Sequence, residues 1–203
     1  KHHTPGTTYP QRSVDYLHDQ INIPYGDKSD VFVKDRLIEL LDQYCDEKGN
    51  PACLVLACNT ASTVALPLLR QRYDFPIVGV VPAIKPAAQI SKSKEIALLA
   101  TEATINRTYT DDLIKKYASD CQVHRHASHH LVHLAERFCQ GEEISDEVLL
   151  KEIQEILDKT EIDTVVLACT HFPHFKEQFE RLAPSITWVD STEAIIRQIE
   201  RII

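Results

Sequence analysis

Short apolar runs alternate with longer segments of mixed polarity along almost the whole chain. The runs have the length of β-strands and are VDYL (14–17), ACLVLA (52–57), PIVGV (76–80), EIALLA (95–100), CQVHR (121–125), TVVLA (164–168) and ITWV (186–189). The inner runs are continuously apolar, which is typical of parallel strands covered by helices on both faces. We therefore predict a strand over each run.

The segments between the runs repeat apolar residues every three or four positions, which indicates helices. They are SDVFVKDRLIELLDQYCDEKG, TASTVALPLLRQRY, TINRTYTDDLIKKYA, SHHLVHLAERFCQG, SDEVLLKEIQEILDKT and STEAIIRQIERII. The first has Ser29 at the N-cap position and Gly49 near its end. Alternation of strand and helix predicts right-handed βαβ units, so the expected fold class is α/β with mostly parallel sheets.

One pattern occurs twice: LVLACNTAS at 54–62 and VVLACTHFP at 165–173 each end an apolar strand in a cysteine. This repeat predicts two similar lobes that face each other across a cleft. The N-terminal lobe comprises residues 1–82 plus 186–203, and the C-terminal lobe comprises residues 83–185. Because ligands of such sheets bind beyond the carboxyl ends of the strands, Cys58 and Cys169 are expected on opposite sides of one bound molecule.

The composition excludes several classes of protein. No apolar run among the 203 residues approaches the ~20 residues that a membrane-spanning helix needs. The net charge is −8, with 30 acidic and 22 basic residues and no dense basic stripe, so a general nucleic-acid binder is disfavoured. We expect a small-molecule partner, and neither nucleic acid nor membrane.

The six cysteines form no CxxC pair, and a chain of this size needs no disulfide framework. A reduced, cytoplasmic protein is therefore expected. We interpret Cys45, Cys53, Cys121 and Cys139 as small apolar residues of the interior.

Two cysteines differ from the others, because hydrogen-bonding residues follow them at predicted helix N-termini. Asn59 and Thr60 follow Cys58, and Thr170 and His171 follow Cys169. A helix dipole and free N–H groups at such places favour a thiolate and bind carboxylates.

A pair of thiols on opposite faces of one molecule is suited to racemisation or epimerisation. Such a reaction removes a proton from one face of a carbon and returns it to the other, so it needs a base and an acid on opposite sides. Either cysteine can serve as base or acid. His171, two residues after Cys169, could exchange a proton with its neighbour, and no cofactor is required.

A metal site is the alternative that the histidines raise. One group is His124, His126, His129, His130 and His133, and another is Cys169, His171 and His174. In the first group only the pairs 129/133 and 130/133 have the spacing of one helix face, and the chain lacks both HExxH and CxxC. We therefore expect no metal and favour a solvated histidine-rich segment.

The motifs LACNTAS, VPAIKPAA, ATEATI, VVLACTHFP and PYGDKS together resemble those of the aspartate/glutamate racemase family. The resemblance runs from about residue 13 to the end and preserves the motif order. It implies two α/β lobes with the substrate between them. It also implies a cofactor-independent enzyme that interconverts L- and D-glutamate through two thiols and supplies D-glutamate for peptidoglycan.

The resemblance also assigns roles to residues. Cys58 and Cys169 would be the two acid/base thiols, with His171 as the helper of Cys169. Glu136 would be a cleft carboxylate, although an exposed helical glutamate is an equally good interpretation. The residues expected to bind substrate are Tyr25, Gly26, Asn59, Thr60 and Thr170, with Thr101 and Thr104 as further candidates.

The sequence departs from the family pattern in two places. ASHHLVHL stands where a Cys-Pro-Leu-like stretch is usual, and the family's Asp-Ser-Gly motif is absent. The internal repeat places that motif upstream of Lys1, so we expect a further segment before this residue. A racemase of another small acidic amino acid, or a non-catalytic member that retains the cleft, stays open, as does a possible homodimer.

Overall fold

A computed structural model describes residues 13–17, 19, 25 and 28–203 of the chain. The helices of this part are α1 (Asp30–Lys48), α2 (Asn59–Arg72), α3 (Ile84–Ile90), α4 (Glu102–Ile105), α5 (Thr108–Tyr117), α6 (His130–Cys139), α7 (Asp146–Leu157), α8 (Lys176–Leu182) and α9 (Thr192–Glu200). The strands are β1 (Leu54–Leu56), β2 (Ile77–Gly79), β3 (Glu95–Ala100), β4 (Gln122–Ala127), β5 (Thr164–Leu167) and β6 (Thr187–Val189). A 3₁₀ turn at Phe172–Phe175 precedes α8.

The strands form two parallel sheets. One pairs β1 with β2, and the other has the order β4-β3-β5-β6. All of the pairings are parallel, with helices between successive strands. The predicted α/β class with parallel sheets is therefore confirmed, and the strands place their carboxyl ends at common edges.

The predicted strand over 14–17 is wrong. Those residues are exposed and have no regular structure, and Asp15 accepts a hydrogen bond from the Tyr44 hydroxyl at 2.9 Å. A short apolar run becomes a strand only when a neighbouring strand pairs with its backbone, and no described strand does so here. The other predicted strands agree with the structure to within two residues.

The predicted helices match the observed helices less closely than the predicted strands match the observed strands. The segment predicted as one helix over 104–118 is divided into α4 and α5, because the Thr110 hydroxyl donates to the Thr104 carbonyl at 2.6 Å and ends the first. Helices α3 and α8 were not predicted. Each has seven residues, too few for the apolar period to become visible.

Helix α1 begins and ends where the sequence predicts. The Ser29 side chain accepts a hydrogen bond from the Phe32 N–H at 3.2 Å. Gly49 follows the helix with φ of 81°, a conformation that favours glycine. Its buried residues, Val33, Leu37 and Leu41, join the core that surrounds the first sheet.

Helix α2 is held tightly against the first sheet. The Ser62 hydroxyl donates to the Leu56 carbonyl at 3.1 Å and accepts from the Val80 N–H at 3.0 Å. At Gly79 a Cβ atom would lie only 2.7 Å from Leu66 Cδ2, so the absence of a side chain permits this close approach. These contacts fix the start of α2 relative to the end of β1.

The second sheet has an aromatic core. Phe172, Phe175 and Phe179 are fully buried, and the ring of Phe179 stacks on Trp188 at a centroid distance of 4.7 Å. Cys169 belongs to the same core cluster. The segment after β5 is therefore anchored by burial of large apolar side chains.

The predicted assignment of 186–203 to the N-terminal lobe differs from the observed strand pairing. Strand β6 pairs with β5 in the four-stranded sheet, whereas α9 contacts β2 of the other sheet. In the connection between β6 and α9, the Ser191 hydroxyl donates to the Val81 carbonyl at 2.6 Å. The full division of the chain into lobes stays a prediction. No helix in the described ranges is long and apolar enough to cross a membrane.

Candidate active site

Cys58 lies between β1 and α2, at the carboxyl end of its strand. It is the N-cap residue of α2 in an extended conformation, and its Sγ accepts a hydrogen bond from the Ala61 N–H at 3.5 Å. Among the described residues, no imidazole or carboxylate contacts this sulfur atom. The predicted position at a strand end and helix start is confirmed.

Cys169 lies two residues beyond the end of β5 and is 8% exposed. The element that follows it is the 3₁₀ turn at Phe172–Phe175, and α8 begins only at Lys176. The prediction that an α-helix directly follows Cys169 is therefore wrong. The buried phenylalanines of the turn draw this segment into the core before a helix can form.

His171 stands between a thiol and a carboxylate. Its Nδ1 atom is 3.6 Å from Cys169 Sγ, and its Nε2 atom is 3.9 Å from Glu136 Oε1. The other carboxylate oxygen of Glu136 is 3.6 Å from His133 Nδ1. The structure thus brings the three predicted residues together, although the Glu136 side chain is also 44% exposed.

Burial controls the acidity of both thiols. It raises the pKa of Cys169 to about 11; the Cys58 thiolate and the Glu136 carboxylate raise it too, and the N–H groups of His171 and Phe172 lower it. Burial also raises the pKa of Cys58, against the opposing N–H groups of α2. The N–H groups favour the thiolates as expected, but burial outweighs them, so the pKa of each thiol lies above its ordinary value.

His171 Nδ1 lies within reach of the Cys169 proton. Burial lowers its pKa, while the Glu136 carboxylate opposes that effect. The imidazole is therefore neutral near pH 7 and can accept a proton at Nδ1. The charge of Cys58 also acts to raise the pKa of Cys169, so the two thiols lie near enough to interact.

Polar residues follow each cysteine, as predicted. Asn59 and Thr60 are buried at the start of α2, and Asn59 Oδ1 has no hydrogen-bond partner within the described part of the chain. A buried acceptor without a partner is costly, so it is available to a ligand. The hydroxyls of Thr101 and Thr104 lie 3.1 Å apart at the end of β3.

Thr170 lines an open groove of about 450 Å³ beside Cys169. The other lining residues are Glu136, Cys139, Gln140, His171 and His174. Cys139, which we expected in the interior, is exposed. It lies in the last turn of α6, where tertiary packing, and not the residue type, decides which side chains are exposed.

The Tyr25 hydroxyl donates to Asp19 Oδ2 at 2.7 Å, and Asp19 in turn pairs with Arg36 at 2.8 Å. Burial and this hydrogen bond raise the pKa of Tyr25, and its ring packs on the same core as Cys58. Tyr25 is thus placed near the first thiol, while Gly26 lies outside the described residues. Their predicted contact with substrate stays a prediction.

The histidine-rich segment forms pairs with carboxylates and is not simply solvated. In the described ranges, no group of three His, Cys, Asp or Glu residues is arranged to hold a metal ion. The pairs are His124 with Glu95 at 2.6 Å, His130 with Glu152 at 2.7 Å and His126 with Glu155 at 3.2 Å.

Parallel α/β sheets, each with a thiol beyond the carboxyl end of one strand, define the class of this protein. The chain belongs to the Asp/Glu/Hydantoin racemase family, whose model matches residues 4–199. Glutamate racemase of Escherichia coli O45:K1 is 45% identical over 185 residues, and that of Pectobacterium atrosepticum is 46% identical. Each alignment covers 90% of this chain but 65% of the relative, so the chain spans less than two thirds of their length.

Solved structures agree with this assignment. Escherichia coli glutamate racemase in complex with L-glutamate and the activator UDP-MurNAc-Ala superposes with a TM-score of 0.85 and 42% identity, covering 91% of this chain and 70% of that one. Glutamate racemase from Aquifex pyrophilus superposes with a TM-score of 0.73 and 29% identity, covering 98% of this chain and 77% of that one. The two-lobe α/β architecture of these proteins is thus the fold to which this chain is similar.

Proposed function

We propose that this chain carries out the interconversion of L- and D-glutamate, with Cys58 and Cys169 as the acid/base pair. The observation that carries the proposal is the placement of two thiols at the carboxyl ends of parallel strands, one of which has an imidazole 3.6 Å away. A pair of thiols acting on opposite faces of Cα reverses its configuration without a cofactor. The similarity to glutamate racemases supports glutamate as the substrate.

The proton path at Cys169 follows from its neighbours. Since the thiol pKa is about 11, the resting group is protonated and must first lose its proton. His171 Nδ1 takes this proton and becomes an imidazolium, which Glu136 stabilises from the other side of the ring. The thiolate removes the α-proton, and the Cys58 thiol returns a proton to the opposite face.

Substrate would bind at the start of α2. The unpaired Asn59 Oδ1 can accept a hydrogen bond from the substrate ammonium, and the first N–H groups of the helix can bind a carboxylate. The bound substrate would bring the positive charge of its ammonium group and these hydrogen bonds into the site. Both would change the surroundings of the thiols when a thiolate has to form. Thr60 and Thr170 are the other candidate contacts.

The biological setting follows from the substrate. D-glutamate is a component of peptidoglycan, so we infer a role in cell-wall synthesis and a location in the cytoplasm, where free thiols remain reduced. We also predict a homodimer. A racemase for another small acid, and a binding protein that retains the cleft, are the competing functions.

The decisive experiment measures loss of optical rotation and exchange of the α-proton in D₂O, with L-glutamate, D-glutamate and L-aspartate offered separately. We expect both glutamate enantiomers to racemise and to gain deuterium, and aspartate to remain unchanged. Racemisation of aspartate alone would favour the other substrate. Saturable binding of glutamate without α-proton exchange would favour the non-catalytic function.

A further inference from the structure

A second thiol–imidazole pair lies beside the first. Cys139 Sγ, at the end of α6, is 3.6 Å from Nε2 of His174 in the 3₁₀ turn. Phe138 packs on both His174 and Phe175, with centroid distances of 6.4 Å and 5.5 Å. Two elements packed against each other therefore hold this thiol and imidazole together.

The surroundings of Cys139 differ from those of the remaining cysteines. Cys139 is exposed, whereas the other five cysteines are buried or half-buried. Cys121 offers the sharpest contrast, because its Sγ is 3.6 Å from a carboxylate oxygen of Asp120. A carboxylate disfavours the thiolate, whereas an imidazole can take the thiol proton and then stabilise the thiolate by its positive charge.

The pair also opens onto the groove of the candidate active site. Cys139 and His174 line it together with Glu136, Thr170 and His171. Cys139 is exposed, so a small molecule can reach its sulfur. Any group attached there would occupy the space next to the imidazole that serves Cys169.

We propose that Cys139 and His174 form a thiol–disulfide exchange site for low-molecular-weight disulfides, and that the adduct closes the groove. The Cys139 thiolate attacks one sulfur of the disulfide; that S–S bond breaks, and a new one forms to Cys139. The departing thiolate takes the proton that His174 received, so atoms, charge and electrons balance. The effect on turnover rests on the proposed racemase function, but the exchange chemistry does not.

The test uses 2,2′-dipyridyl disulfide, with its released thione followed by absorbance and the labelled cysteine located by mass spectrometry. Under limiting reagent at pH 7, Cys139 should react first, at least about tenfold faster than Cys121. His174→Gln should slow the labelling of Cys139 by about tenfold while leaving that of Cys121 unchanged. His174 is exposed, so this substitution should not disturb folding.

His130→Gln is the matched control, because it removes a histidine at the opposite end of α6 from Cys139, where it pairs with Glu152. It should leave the labelling rate of Cys139 unchanged. First reaction at another cysteine, or an equal Cys139 rate in the His174 variant, would overturn the exchange site.

The activity of the labelled protein tests closure of the groove. The racemisation rate should fall in proportion to the fraction of Cys139 that is labelled, and it should return after reduction with a thiol. In the Cys139→Ser variant, the rate after treatment should equal the rate before treatment. Full activity of protein labelled at Cys139 would overturn the closure. Absence of racemisation before treatment would instead count against the proposed function, while the labelling result would stand by itself.

Discussion

Glu136 and Cys169 lie on opposite sides of one imidazole: Glu136 Oε1 is 3.9 Å from His171 Nε2, and Cys169 Sγ is 3.6 Å from Nδ1. The carboxylate raises the pKa values of both the imidazole and the thiol. Its negative charge therefore favours the state in which His171 holds the proton, and it opposes the thiolate that forms. We therefore expect Glu136 to affect the proposed proton transfer at Cys169.

Glu136→Gln should shift the acidic limb of the pH–rate profile to lower pH. The limb reports His171, which must be neutral to act as a base, and removal of the carboxylate removes an effect that raises its pKa. The measurement is the initial rate of racemisation as a function of pH. Glu143→Gln removes an equal charge at an exposed position beyond α6 and should not move the limb. A profile that moves equally in both variants would contradict the assignment.

Cys58→Ser and Cys169→Ser should each lower racemisation by about 10²- to 10⁴-fold, because a hydroxyl is a far weaker acid than a thiol. The fold should survive, as oxygen replaces sulfur with a small loss of volume. Circular dichroism and turnover would be measured on the same samples. Cys121→Ser is the control and should retain activity, since Cys121 precedes β4 at the amino end of the sheet, whereas Cys169 lies beyond the carboxyl end of β5. Wild-type turnover in either active-site variant would disprove the two-thiol mechanism.

Asp163 should stabilise the fold above about pH 4. Burial disfavours its charge, yet hydrogen bonds outweigh burial and hold the pKa of this carboxyl well below its usual range. The donors are the N–H groups of Lys92 and Ser93 and the hydroxyls of Ser91 and Thr164, all within 2.8 Å. Because the folded pKa lies below the unfolded value, this contribution is complete above the unfolded pKa and is lost as the pH falls.

Asp163→Asn should lower the free energy of unfolding by about 1–3 kcal/mol at pH 7, since an amide nitrogen cannot accept the N–H donors. The difference between wild type and variant should narrow as the pH falls below about 4. Chemical denaturation at several pH values measures both. Asp74→Asn, at an exposed position, is the control and should show no such difference. A difference in free energy of unfolding that widens as the pH falls would contradict this prediction.

Gly79→Ala should lower the free energy of unfolding by about 1–3 kcal/mol, because the added Cβ would lie 2.7 Å from Leu66 Cδ2. Helix α2 must shift to relieve this contact, and Cys58 at its start shifts with it. We expect a lower melting temperature and a lower turnover number together. Leu66→Val removes the crowding carbon, so the double variant should recover part of both losses. Additive losses in the double variant would show that the two positions do not interact.

The sequence by itself determined the features that depend on neighbouring residues along the chain. Continuous apolar character located β3 at its observed bounds, and Ser29 and Gly49 gave the ends of α1. The repeated cysteine pattern indicated two strand-end thiols, and periodicity gave the parallel α/β class. Such signals are local, because strand and helix periods and cap chemistry act over a few residues.

Tertiary structure decided the features that depend on residues distant in sequence. Residues 14–17 carry three apolar side chains but have no described strand to pair with, and β6 pairs with β5. Burial outweighed the N–H groups at both thiols and raised the pKa of Cys169 to about 11. The contact of Cys139 with His174 likewise joins a helix end to a turn 35 residues later. Desolvation and long-range packing have no periodic trace in a sequence, so only the folded chain sets them.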